Sequence, residues 1–423
     1  VEHFIDHASQ LRIDTGDGFS GIAQRWMGVR DQVKHSNNRE FGMIRSERLP
    51  NRFLSIVAQR GRFVNLDRSI GALRLAALGV VSLVSMGLSA ISQDAATTSE
   101  LYRQAMDKLG PESRIRWIDG GDMSLQRWMP GRSIELRGIL VEWEPDKLVL
   151  VRRDANGPTT FPGDLAIGLE VGWKEEACAE VHQWFAEQQF ENVIQKGQVA
   201  LQLPSVPRWQ RRILVAEMVQ SACALGQWRV AGRIYDYLTQ DSAPLLLQAV
   251  IPLPWSDELL TSGQGIRDSA AEWIKDEDPR MQLLGASWLL GSEQNGQAIE
   301  VLRRLSTNES VLVSNYAQAQ LWRTAPPSEI RSTLFGQWVS LRDRMPISLQ
   351  AGPTMLLAHR LDQAGDWELA VAEWLRIASL FGDRYHLRRQ ALDRAVAACR
   401  AAGAADDAEK IKARFSLESG STR

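Results

Sequence analysis

The sequence predicts a mainly α-helical chain, an array of paired helices preceded by a small β-barrel-like module. Three observations carry this. From Lys174 to about residue 415 the apolar residues keep a helical period. Glycine breaks within that region recur with an alanine five residues later: Gly226 and Ala231, Gly365 and Ala370, Gly403 and Ala408. Between residues 114 and 173 the pattern changes to short alternating runs divided by tight turns.

Bulk properties fit a globular protein. The chain has 423 residues, 44% hydrophobic and 24% charged, with a formal net charge of −2. That length allows two or three domains, and the balanced charge gives no basic field of the kind nucleic acid attracts. Fifteen Trp stand against five Tyr. Trp is bulky and needs a core or interface to fill, so many packed helix contacts are expected. Cys178, Cys223 and Cys399 form no CxxC pair and no metal-ligand spacing. Each sits on the apolar face of a helical stretch and reads as a small buried hydrophobe.

Residues 1–74 show no sustained period and read as a poorly structured leader. Met43 offers a second start, so residues 1–42 read as an upstream extension. Arginines then dominate up to Arg74, and residues 75–91 are apolar and uncharged. A basic flank, an apolar core and small residues at its end (Gly87, Ser89, Ala90) match a secretory signal peptide. The rival is an uncleaved anchor held on the cytoplasmic side by its arginines, and the plainer alternative is a buried helix of a cytoplasmic domain. The expectation is an exported protein of the periplasm or cell envelope, touching membrane only through this segment.

Residues 99–110 read as one short helix closed by Gly110 and Pro111. Strands follow around 115–118, 133–143, 147–153, 159–162 and 165–173. Ile134 and Leu136 alternate with Glu135 and Arg137, and Asn156-Gly157 supplies the positive φ of a hairpin turn. Short strands with tight turns suggest a small curled sheet or partly open barrel. Gly138, Trp143, Leu148, Leu150, Gly157, Phe161, Pro162 and Asp164 carry a resemblance to the small SH3-like or Sm-like β-module found ahead of helical repeats in some exported bacterial proteins. With its leading helix, this module is assigned to residues 99–173.

Residues 174–415 are assigned to the helical array and 416–423 to a flexible polar tail. Helix pairs break at 187–190 and 225–228, with Pro204 and Pro207 between pairs, where they spare helix interiors. Tyr235 and Trp374 lie four residues beyond Ala231 and Ala370, on the same helix face. Val219, Ala358 and Val396 lie seven residues before the glycines. This pattern resembles the tetratricopeptide repeat (TPR), a helix–turn–helix unit of about 34 residues, and implies a TPR-like α-solenoid. Small residues allow the two helices of a unit to nest closely. Anchor positions 193, 231, 298, 370 and 408 are separated by 38, 67, 72 and 38 residues, which suits about seven units with two degenerate ones. Pro252, Pro254, Pro326, Pro327 and Pro346 mark loops in the less regular stretch 241–353.

Motifs for chemistry are absent. His182, His359 and His386 form no HxxxH or HExxH pattern. No phosphate-cradling GxxxxGK[ST] and no GxSxG nucleophile motif occurs. Glu142, Glu144 and Asp146 read as a solvated turn, and Arg208, Arg211 and Arg212 as a solvated helix face. No catalytic, metal or cofactor site is assigned, and no nucleic-acid partner. The expected function is a non-catalytic scaffold that binds a peptide or partner protein in the groove of its stacked helix pairs. Arg211, Gln220, His359 and Gln363, polar positions on first helices, are the candidate groove residues. Two other readings stay open: an enzyme with a site between the β-module and the array, and a purely structural envelope component.

Overall fold

A computed structural model describes residues 100–118, 133–240, 242–257, 264–326, 329–330, 334–381 and 385–420. The leader and the apolar run at 75–91, with the export reading that rests on them, lie outside the described residues.

A helix over 100–109, α1, leads into five strands. These are β1 (Ser113–Ile118), β2 (Ser133–Trp143), β3 (Leu148–Val151), β4 (Pro158–Phe161) and β5 (Ala166–Glu170). They form one antiparallel sheet in the order β4-β3-β2-β1-β5. The chain meanders from β1 to β4, makes a 3₁₀ turn at Gly163–Leu165, and returns to pair β5 with β1. β2 is long because two neighbours share it: its first half pairs with β1 and its second with β3. One face buries Ile115, Leu136, Leu140, Leu148 and Leu150, as the alternation predicts. The other is partly covered too, since α1 lays Tyr102 over Ile139 and Val151. Trp143 is fully buried and donates its indole N–H to Gly163 O at 3.1 Å.

The remaining chain is helical, and several of its helices form consecutive pairs. α2 (Glu176–Ala186) precedes α3 (Phe190–Ala200), and α4 (Arg208–Ala224) precedes α5 (Trp228–Thr239). The short α6 (Leu245–Gln248) is followed at a distance by α7 (Gln264–Trp273). Next come α8 (Pro279–Leu289) with α9 (Asn295–Leu305), and α10 (Val311–Leu321) with α11 (Phe335–Arg344). Last are α12 (Ala351–Gln363) with α13 (Trp367–Leu380), and α14 (Tyr385–Ala401) with α15 (Ala405–Gly420). α15 continues into the segment expected to be a tail. Helices pack chiefly on the next one or two along the chain.

One turn geometry recurs in four of these pairs. Gln188, Gly226, Gly365 and Gly403 adopt positive φ of 63°, 70°, 72° and 77°. At the second, Gly226 N–H donates to Cys223 O and Gln227 N–H to Ala222 O, at 3.0 and 2.8 Å. The same two bonds close the turns at Gln188, Gly365 and Gly403. This is a Schellman ending, which satisfies the last helix carbonyls and needs a left-handed residue. Five residues on, Val193, Ala231, Ala370 and Ala408 are completely buried, and their N–H groups make the first bonds of the second helix. The pair α8–α9 differs: its linker is longer, although Ala298 and Leu302 are again fully buried.

The sheet lies against this helical run. β5 touches α6 and the 3₁₀ turn Ile347–Leu349, and Ile167 joins the apolar cluster of Trp322, Leu357 and Trp374. Asp164 Oδ1 accepts from Leu245 N–H at 2.7 Å. Arg116 of β1 donates to Leu380 O, at the end of α13, at 2.9 Å. Arg389 of α14 reaches Gln188, in the first helix turn, at 3.5 Å.

Candidate functional site

Residues 249–257 leave α6 and pass beside α8, α10 and α12, with residues 251–255 free of regular secondary structure. Pro252 and Pro254 do lie in a loop, as expected, but Ile251, Pro252, Leu253 and Pro254 are all buried. A buried loop must find partners for its polar backbone groups. Side chains from two helices, α8 and α10, provide them. Trp288 of α8 donates to Pro252 O at 2.9 Å, while Tyr235 of α5 caps the end of α6 at Gln248 O, 3.1 Å away. From α10, Tyr316 approaches Ala249 O at 3.5 Å and Gln320 donates to Pro254 O at 3.3 Å. Trp255 meets Tyr316 edge to face, with ring centres 5.1 Å apart. Its indole also lies over Gly352 of α12, where a Cβ would come within 2.1 Å, so no side chain fits there.

The segment ends on a charge cluster. Asp257 accepts from Arg323 Nε at 3.4 Å and pairs with Arg360 Nη1 at 3.2 Å. Arg323 also donates to Ser287 O and Gln320 Oε1, and Arg360 donates to Arg323 O. Both arginines are buried, whereas Asp257 is half-buried. Burial pushes the Arg323 guanidinium down to about 10, against the pull of Asp257 and with the push of Arg360. Burial likewise lowers Arg360. Arg323 Nη2 and Arg360 Nε have no partner. Two buried cations therefore share one carboxylate.

The four expected groove residues fall on two helices. On α4, Arg211 donates to Leu203 O at 3.0 Å and Gln220 bonds its own helix at Ala216 O, 3.3 Å away. On α12, His359 is buried with its ring edge to face on Trp374, 4.8 Å between centres. Gln363 Oε1 accepts from Arg360 Nη1 at 3.4 Å. Arg360 is thus the link between an expected groove residue and the charge cluster, and no local motif marks it.

Two other polar clusters join elements. His182 Nδ1 lies 2.6 Å from Glu217 Oε1, bridging α2 and α4. Burial acts to lower the His182 pKa, but the hydrogen bond and charge of Glu217 outweigh it and hold the ring above its ordinary value. Along the same side of α4, both amide atoms of Gln210, Glu217 Oε2 and Ser221 Oγ are buried without partners. The second cluster corrects the reading of two solvated segments. Arg212 is buried and donates to Trp143 O at 3.2 Å and to Glu144 Oε2 at 2.9 Å, tying α4 to the sheet. Glu144 is therefore an anchor, not a free turn residue.

Cys178 and Cys399 are buried and Cys223 is half-buried, and all three are free thiols. Burial pushes the Cys178 thiol up to about 11, away from the thiolate that reacts. No group of His, Cys, Asp and Glu suited to a metal ion occurs among the described residues. An open hollow of about 350 Å³ lies on the outer side of the sheet, lined by Tyr102, Glu112, Arg114, Arg137, Arg153 and Glu170. Its arginines are paired across the surface, Arg114 with Glu170 and Arg153 with Glu112. No helix among the described residues is long and apolar enough to cross a membrane. No protein-family model, curated protein or solved structure matches the chain, so a functional reading rests on the chemistry of this chain alone.

Proposed function

We propose that the chain is a non-catalytic interaction scaffold: a TPR-like α-solenoid, braced by an SH3-like or Sm-like sheet, that binds a protein or peptide through its stacked helix pairs. The observation that carries this is the recurring turn, with its left-handed residue and its fully buried anchor five positions later. A chain that repeats one helix-pair geometry, with each helix packed on its sequence neighbours, has the contact pattern of a repeat array. Such arrays present extended inner surfaces to partners. For the sheet, support comes from the meander whose last strand returns to the first after a 3₁₀ turn.

The cell envelope is the proposed place of work, through the apolar segment at 75–91. Sequencing the N-terminus of the mature protein tests this. A start just after Ala90, or a full chain retained in the membrane fraction, supports export. A start at Val1 in a cytosolic protein contradicts it. The scaffold is tested by cross-linked affinity capture of the full chain from envelope extracts. One stoichiometric protein partner is expected. The absence of any partner, together with a small metabolite that raises the melting temperature, would replace the scaffold with a ligand-binding or catalytic role.

A further inference from the structure

Residues 249–257 meet α8, α10 and α12 much as a bound peptide meets a receptor. Pro252 and Pro254 have no N–H, so this strap presents mainly carbonyls. The helices answer with donors: the phenol of Tyr316, the indole of Trp288 and the amide of Gln320. Ile251 and Leu253 precede the prolines, which confines them to extended backbone. Aromatic-lined grooves take proline-rich segments by this chemistry, because such segments lose little entropy on docking. The N–H groups of Ala249, Val250, Ile251 and Leu253 bond within the strap or back to α6. Lifting the strap gives up the side-chain bonds from Trp288, Tyr316 and Gln320 and the Asp257 ion pairs, and leaves the backbone hydrogen bonds of α8, α10 and α12 in place. At its end, the Asp257 carboxylate sits between Arg323 and Arg360 and reaches the surface.

We infer that the face built from α8, α10 and α12 is a peptide groove, occupied in this state by the chain's own residues 249–257. Its competing ligand is an extended, proline-containing peptide with a carboxylate two residues beyond a tryptophan. This rests on the scaffold reading and narrows it to a class of partner. The two buried arginines give the groove its polarity: they hold more positive charge than Asp257 neutralises, and a carboxylate is what they select.

The test uses the full chain and a labelled synthetic peptide, QAVIPLPWSD. Trp255→Ala with Asp257→Asn loosens the strap and leaves every groove donor in place. This variant is expected to bind the peptide at least ten times more tightly than the unaltered chain. A peptide carrying Asn in place of its aspartate is expected to lose most of that gain. A loosened variant that keeps its helical circular dichroism but binds no better overturns the inference. Should the variant fail to fold, hydrogen exchange on the unaltered chain decides. The strap amides are expected to exchange by local opening, ahead of α8 and α12. If they exchange only with the slowest core amides, the strap is ordinary core and the inference falls. A partner cross-linked elsewhere, with the strap amides in that slowest class, would keep the scaffold and remove this inference alone.

Discussion

Ala370 has no exposed surface, and it lies in the apolar cluster that α12, α13 and α14 share. Replacing it with leucine forces methylenes into a filled space. Ala370→Leu is expected to cost about 1–3 kcal/mol in denaturant unfolding, and an unchanged midpoint would mean that the repeat register is wrong. Gln188 is the one described non-glycine residue with positive φ, at 63°. A left-handed L-residue costs about 1–2 kcal/mol, and glycine returns part of that gain through its freer unfolded chain. Gln188→Gly is therefore expected to stabilise by about 0.5 kcal/mol, read as a small rise in the unfolding midpoint. A fall in that midpoint would show that the Arg389 contact matters more than the strain. At this scale the anchors were legible in the sequence. Close helix packing demands a small residue at a set distance from a turn, and the spacing survives without any neighbour in view. Arg212 was not legible, because its partner Glu144 lies on the sheet and a cationic side chain reads as surface until that partner is placed.

The His182–Glu217 bond joins the first helices of two successive pairs, α2 and α4. Its folded-state pKa is raised, so the folded protein holds the ring proton more tightly than the unfolded chain does. The resulting stability is complete below the unfolded value of about 6.5 and is lost as pH rises through the folded value. The stability difference between the unaltered chain and His182→Gln is therefore expected to be larger at about pH 6 than at about pH 8. Urea midpoints at both conditions check this, and a difference that grows with pH would contradict it. Helices and strands were legible because their periods are local. The helix breaks at 187–190 and 225–228 lie where α2 gives way to α3 and α4 to α5. The strap was not legible. Pro252 and Pro254 announce a loop, and nothing nearby says that the loop is buried, because the donors that make burial tolerable come from α8 and α10.

At the scale of the molecule, the sheet shares an apolar core with α4, α8 and α10: Trp143, Leu148 and Leu150 belong to the cluster that holds Trp209, Trp288 and Tyr316. They are expected to unfold together. Arg212→Met removes a buried cation and its bonds to Trp143 O and Glu144, at a cost of about 3 kcal/mol. The helical circular dichroism and the tryptophan fluorescence of this variant are expected to shift by the same amount. Separate transitions would mean that the sheet is an independent domain. No part of the sequence signals this arrangement, because the periods that mark a strand or a helix carry no information about which face of the array the sheet covers. Arg389 of α14 reaches Gln188 in the turn between α2 and α3, which brings a late helix against the first pair. The most direct test is the distance between spin labels placed at positions 188 and 389, read by pulsed electron resonance on the full chain. A single narrow distribution at the short end of the measurable range is the expected result. A broad or long-distance distribution would mean that α14 does not meet the first pair, and would contradict the account.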